Sequence, residues 1–428
     1  MGRLGIILLF CLALTILTLR FFFFFHNQPK YHDGQTVSLQ TALLSEPRIV
    51  GSQQRISANL ERGNRIFITT SLYPQFHYAD SLRISGTLRY KTLRNKDTII
   101  TMWYPKIEVV KDDPSTSPCT RRCGASLRVF LAVPSFIRQK AISLFEKTLP
   151  PTSSSLLLGV VFGVKESLPS DFADSLRVSG VFHVVAASGM NVTMVGGFLS
   201  SLFEFFFKRQ IAILASIMGI ALYAVLAGLE PSIIRASIMG ILVFTGQMIG
   251  RQNLSLYGLF LAGFAMLFWS PNLILDIGFQ LSFLATLGLL YVKPLFERSK
   301  KAKAILNRSI VGEGVVTTIA AQAGTLPILA GNFGAYSLWS VIVNGLVLWT
   351  IPTLMVIGGF GVMLGMIAES LGRTFLYLSI PLLLYFEKLV SVFTSFGGVV
   401  NFAVIPWQFS LSYYSFLVAL VLWLKEKS

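Results

Sequence analysis

Residues Ser179 to Phe207 read SGVFHVVAASGMNVTMVGGFLSSLFEFFF, an apolar run long enough to cross a bilayer, for which about 20 helical residues suffice. Its first half is unlike lipid-facing sequence. His183, Ser188, Asn191 and Thr193 interrupt it, and polar groups at membrane depth are costly unless they face a partner or water. On one continuous helix His183, Ala187 and Asn191 fall on one stripe with Ser188 at its edge. The stripe is therefore expected to face protein or a pore. Ala186, Ala187, Ser188 and Gly189 form a small-residue patch that lets another helix approach closely. The rest of the chain is expected to be a bundle packed on this helix.

The composition agrees. Hydrophobic residues make up 53% of the chain, with 35 Phe and only 13% charged residues, far more apolar than a soluble globular average. The fold class expected is an all-α polytopic membrane bundle. Its net charge of +16 is unevenly placed: residues 26–150 hold 18 of the 36 Lys and Arg against 9 Asp and Glu. A basic, largely polar module thus precedes the bundle, suited to a polyanion or simply well solvated. With three Cys, four His and neither an HxHxDH nor an HExxH cluster, no metal site and no cofactor is expected. Cys119 and Cys123 stand in a Pro/Ser/Thr-rich turn, DDPSTSPCTRRC. They are either a short-loop disulfide outside the cytoplasm or two free thiols.

In chain order, residues 1–25 read as a retained N-terminal transmembrane anchor with its amino end inside, since Arg3 precedes the apolar core and no A-x-A-like cleavage site follows it. Residues 30–130 read as an extracytoplasmic all-β domain. Five short strand signals between 36 and 111, separated by Gly, Asn, Asp and Pro, suggest an OB-like barrel. Arg83, Arg89, Lys91, Arg94 and Lys96, with Tyr90, Trp103 and Tyr104, offer charge and stacking faces for single-stranded nucleic acid; the other reading makes those aromatics core or interface anchors.

Residues 134–180 read as a lip of membrane-surface helices. Pro134–Leu149 puts Ile137, Ala141, Leu144 and Phe145 on one face and Arg138, Lys140, Glu146 and Lys147 on the other, and Ser155–Val164 is too short to span and reads as an interfacial or re-entrant segment. Residues 181–428 form the bundle, with about nine or ten spans in all. Basic loops after alternate runs, above all 293–308, mark the cytoplasmic side. The stretch 338–368, broken at Pro352, fits two spans or one span plus a re-entrant piece.

Six ionisable or amide residues lie at membrane depth: His183, Arg235, Asp276, Gln280, Gln322 and Asn344. Matched depth suggests an Arg235–Asp276 ion pair, either a structural clamp or part of a polar route. A hydrolytic His183–Ser188 dyad is disfavoured, because on one helix the two point about 140° apart.

Four blocks, GVFHVVAASGMNVTMV (180–195), LYAVLAGLEPSIIRASIMG (222–240), DIGFQLSFLATLGLLY (276–291) and AQAGTLPILAGNFGAYSLWSVIVN (321–344), resemble, in order, the motifs of the ComEC family of competence proteins. The resemblance implies a channel in the cytoplasmic (inner) membrane that imports single-stranded DNA, and no enzymatic activity. It puts His183, Ser188, Gly189, Asn191, Pro231, Arg235, Asp276, Gln280 and Ser282 at motif positions. Many members carry a C-terminal metallo-β-lactamase-like domain, for which no room is expected before Ser428, so a separate nuclease is implied. No GxxxxGK[ST] occurs, so the implied partners also include a cytoplasmic helicase or other ATPase, besides a DNA receptor and the lipid bilayer. Two rival classes stand beside this one. A small-solute secondary transporter would need no basic β module, and a membrane scaffold for competence machinery would tolerate an apolar replacement of the buried stripe.

Overall fold

The structure, a computed structural model, describes residues 3–27, 31–43, 47–50, 53–59, 65–76, 80–92, 98–109, 134, 136–164, 168–185, 189–229, 231–250, 255–298, 310–402 and 406–426. The chain divides into two compact units, Met1–Phe136 with Phe260–Asp276, and Ile137–Leu259 with Ile277–Ser428. Ser188, Arg94, Lys96, Cys119, Cys123 and most of the basic loop 293–308 lie outside the described residues, as does the side chain of Lys91.

The first unit begins with helix Arg3–His26. Arg20 near its end donates to the Phe268 carbonyl at 3.2 Å, where the last turn of helix Ser255–Trp269 exposes carbonyls that favour a cation. Eight strands follow: β1 Thr36–Ala42, β2 Arg48–Val50, β3 Gln53–Asn59, β4 Arg65–Ser71, β5 Ser81–Thr87, β6 Arg89–Thr92, β7 Thr98–Trp103 and β8 Lys106–Val109. They exceed the five expected because two long strands bend and because Arg48–Val50 adds a short strand of its own. Leu88 alone separates β5 from β6, and Tyr104 and Pro105 separate β7 from β8.

The two bent strands pair antiparallel on both sides of their bends, β6 with β7 and β5 with β8. β2, β3 and β4 form an antiparallel meander. β4 joins β7 in parallel, and β5 returns to β1. A parallel pair needs a long crossover, and the chain between β4 and β7 supplies it. Every second residue turns inward: Leu39, Ile56, Ala58, Ile66, Ile68, Leu82, Ile84 and Met102 share one core with Leu43, Phe76 and Leu88.

The second unit is helical. Among the described residues, six helices are long and apolar enough to cross a membrane, among them Arg209–Leu226, Pro231–Met248, Gly312–Phe333 and Thr350–Ile367, beside the nine or ten spans expected of the whole chain. Two stretches differ from the expectation. The run from Ser179 to Phe207 does not begin as helix: Ser179 caps helix Ser170–Val178 and Gly180 turns with φ +79°, ahead of the described helical pieces Phe182–Val185 and Gly189–Phe206. The stretch 338–368 divides into Ser340–Val347, too short to span, and Thr350–Ile367.

The expected lip is in fact the hub of this unit. Helix Pro151–Phe162 is buried at every position from Ser153 to Phe162. Its LLLGVVF sequence has no polar face to offer water, and a helix apolar all round is stable only inside. A Cβ on Gly358 would lie 2.6 Å from Val161, and one on Gly159 would lie 2.1 Å from Val185, so glycines let the neighbours reach it. The amphipathic helix over 136–148 buries Ala141, Leu144 and Phe145 in the same core. Arg138, expected on its polar face, is buried with them.

Candidate functional site

Burying the C-terminal end of a helix leaves carbonyls that only other parts of the chain can satisfy. At the C-terminal end of Pro151–Phe162 the Gly159 carbonyl accepts from the Gly163 amide. The Val160 carbonyl accepts from Asn191 Nδ2 at 2.9 Å, and the Val161 carbonyl from the Tyr223 hydroxyl at 3.2 Å. Asn191, 1% exposed, therefore caps a buried helix. At the other end Ser153 donates to Glu387 at 2.6 Å. Glu387 and its neighbour Lys388 lie within a long apolar helix, Glu369–Ser395, and were not among the residues singled out from sequence.

A second polar cluster joins two expected residues through an unexpected one. Ser340 accepts from Gln322 Nε2 at 2.7 Å and from Asn344 Nδ2 at 3.2 Å, and donates to the Gly180 carbonyl at 3.2 Å. That uses a hydroxyl's full complement of one donor and two acceptors. Tyr336 completes the chain by donating to Gln322 Oε1 at 2.7 Å. A Cβ on Gly180 would meet Ser340 Cβ at 2.5 Å, so its positive φ and the close approach both require glycine. The i, i+4 spacing of Ser340 and Asn344 was the available sequence signal.

Arg235 is buried, 7% exposed, and held by hydroxyls. Its Nε donates to Ser282 Oγ at 2.8 Å, and its Nη1 to Thr286 Oγ1 at 2.6 Å, with Met239 Sδ at 3.5 Å. These neutral groups anchor the guanidinium. Asp276 belongs to the other unit, where it closes the turn Pro271–Leu275. Gln280 is half-buried in helix Ile277–Tyr291, and His183 is exposed in its short helix.

On the β unit, side chains opposite one another across the strands share a face. Register sets Arg55 opposite Thr69 and Thr69 opposite Trp103, and sets Phe67 opposite Thr101, which faces Arg89. Phe67 and Trp103 are 44% and 49% exposed, and Arg55 and Arg89 are exposed with them. The outer face of this sheet thus carries two arginines and two aromatic rings. Sequence reading found Arg89 and Trp103 and missed Arg55 and Phe67. Tyr104 is exposed at the β7–β8 bend and its hydroxyl accepts from Gln53. Tyr90 is partly committed, its hydroxyl donating to the Tyr31 carbonyl at 2.9 Å. Arg83 lies on the other sheet opposite Glu108, whose carboxyl is held below its ordinary range by hydrogen bonding and charge from Lys106 and by the charge of Arg83.

A family model described as Competence protein matches residues 160–427. The chain is 26% identical over 242 residues to ComE operon protein 3 of Bacillus subtilis (strain 168), a match covering 56% of this chain and 30% of that protein. It is 31% identical over 175 residues to an uncharacterized protein of Aquifex aeolicus (strain VF5), covering 40% of this chain and 39% of the relative. The matched stretches thus span well under half the length of either relative. No solved structure matches the chain.

Proposed function

The chain belongs to the Competence protein family, and from that premise we propose that it imports DNA as a single strand through the cytoplasmic membrane, the helical unit forming the passage and the β unit presenting the strand. The observation that carries this reading is the outer face of the β unit, where Arg55, Phe67, Arg89 and Trp103 lie in neighbouring register. Exposed rings stack on bases of any sequence, and arginines between them follow the phosphates. The pairing order supports an OB-like reading: the β2–β3–β4 meander, a parallel link from β4 to the bent strand β7–β8 and a return of the bent strand β5–β6 to β1. Barrels of that kind bind oligonucleotides on such a face.

In this reading the amino end is inside, the β unit is outside and the basic loop 293–308 is cytoplasmic, where an ATPase draws the strand in. A receptor delivers the DNA, a separate nuclease removes the other strand, and this chain does no covalent chemistry. The test is uptake of strand-labelled DNA by cells lacking the gene, complemented with the full chain or with Phe67→Ala/Trp103→Ala. One labelled strand enters with the full chain and little enters with the variant. Equal uptake by the deletion strain overturns the reading.

A further inference from the structure

The outer face of the β unit continues past Phe67 and Trp103. Along β4 the outward positions run Phe67, Thr69 and Ser71, with Trp103 beside Thr69 and Gln53 beside Ser71. Tyr104 follows Trp103 with φ +44°, a region that a bulky residue rarely occupies. Its amide donates to the Thr69 carbonyl at 2.8 Å, and its hydroxyl accepts from Gln53 Nε2. Because β4 lies between β7 and β3, the Tyr104 ring crosses β4 beside Ser71. Tyr73 comes next, in the loop that follows β4, and is 73% exposed. Gln54 fixes this loop. It is buried on the inward side of β3 with Ile56 and Ala58, where an amide is costly unless it is hydrogen-bonded. Its Nε2 donates to the carbonyls of Ser71 and Pro74 at 2.9 and 2.6 Å, and its Oε1 accepts from the Phe76 amide at 3.4 Å. The Ser71 hydroxyl donates to the Tyr73 carbonyl at 2.8 Å, and Phe76 is buried in the core. The loop is thus held along its length while its tip shows an aromatic ring to solvent.

We propose that Tyr73 and Tyr104 each bind a base of a single-stranded nucleic acid, that the strand runs along β4 between Phe67 and Tyr73, and that Gln54 is the positioning residue that sets Tyr73 in its path. The assignment rests on the reading that this face presents the strand. Outward positions on a β-strand recur about every 6.7 Å, near twice the rise of about 3.4 Å between stacked bases. Rings on that pitch, in the order Phe67, Trp103, Tyr104 and Tyr73, each take one base of an unstacked strand. A duplex keeps its bases stacked and paired and cannot offer them this way. Arg55, in the row of Trp103, and Arg89, in the row of Phe67, supply cations for the phosphates at one end of the track. The other end holds the strand by stacking, which bases of any sequence allow.

The test is binding of a fluorescent oligodeoxythymidylate to the full chain in phosphatidylcholine nanodiscs, read by anisotropy, beside thermal unfolding of each variant. Tyr73→Ala should weaken binding about fivefold or more, the scale of one stacked base, at an unchanged melting temperature. Tyr104→Gly should weaken it as much and melt no lower, because glycine takes the positive φ freely. Gln54→Met, which keeps the side chain's length and loses its hydrogen bonds, should weaken binding in the wild type and add nothing to Tyr73→Ala. Equal losses in both backgrounds would make Gln54 merely structural and overturn its positioning role. A duplex of the same length should bind more weakly; one that binds as well overturns the assignment of one base to each ring. Full affinity in both Tyr73→Ala and Tyr104→Gly, where Phe67→Ala/Trp103→Ala loses it, overturns the added base sites and keeps the uptake reading. A wild type that does not bind the oligonucleotide overturns both.

Discussion

The hydroxyl of Tyr413 donates at 2.9 Å to the carbonyl of Ala323, the group that Pro327 leaves without an intrahelical donor. Pro327 sits inside helix Ile310–Phe333, and a proline removes the hydrogen bond to the carbonyl four residues earlier. The C-terminal helix Trp407–Glu426 repairs this from 90 residues away, and Tyr414 adds a bond to the Gly324 carbonyl at 3.1 Å. Tyr413→Phe is expected to destabilise the protein by about 1–3 kcal/mol, the cost of a buried carbonyl left unpaired. In a Pro327→Ala background, where the helix supplies its own donor, the same change should cost clearly less. Unfolding of the four proteins in micelles measures the coupling, and equal costs in both backgrounds would mean the bond is incidental.

Ser340→Ala removes the shared centre of the Gln322, Asn344 and Gly180 cluster, stranding two amides and a carbonyl in the interior. It should cost more than Tyr336→Phe, which strands only one acceptor of Gln322; each unpaired buried group is worth about 1–3 kcal/mol. Thermal unfolding of both variants in the same detergent gives the order, and the reverse order would mean that Ser340 is not the hub.

Glu108 opposes Arg83 across β5 and β8 and bridges Lys106 at 2.9 Å. Glu108→Gln should therefore strengthen binding of an oligonucleotide to the full chain by about twofold, the scale of one exposed charge, if Arg83 takes part. The pH dependence follows in sign. The folded carboxyl titrates below its ordinary range, so the ion pair is complete at neutral pH and is lost only as pH falls through that depressed value. Wild type should approach the variant's affinity in that acid window and not above it. A titration of affinity against pH for both proteins decides; a constant gap between them down to acid pH would exclude the pairing.

Gly324→Ala should be severely destabilising, because a Cβ there would lie 2.3 Å from the Leu284 carbonyl, and two backbones cannot both yield. Gly331→Ala in the same helix meets nothing within 4 Å and should be neutral or stabilising by up to about 1 kcal/mol. Comparing the folded yield and thermal stability of the two variants separates packing from glycine's intrinsic cost.

How much of this was legible in the sequence depended on distance along the chain. The strands of the β unit were marked by alternation and by Gly, Asn and Pro breaks, and Trp103 and Arg89 stood out by type. Phe67 did not, because only register reveals that it faces Thr101 while Ile66 and Ile68 turn inward. The helix Pro151–Phe162 was misplaced because twelve apolar residues look alike at a membrane surface and at a bundle centre. The stripe drawn through His183 and Asn191 passes through residues 186–188, which lie outside the described ones. Ser340 and Tyr413 act on groups far away in sequence, and neither residue type signals that by itself.

Helix Ile277–Tyr291 touches its neighbour Ile310–Phe333 through Gly288 and Gly324, backbone on backbone. Leu284 and Gly288 line that contact, whereas Ser282 and Thr286, displaced by two residues and so by about 200° around the axis, turn toward Arg235. The helix is a partition, dry and sealed on one side and hydroxyl-lined on the other. The glycine seam leaves no gap for a further group, so the polar groups of this helix are offered on the hydroxyl side alone. The partition cannot roll to change sides without unseating both glycines.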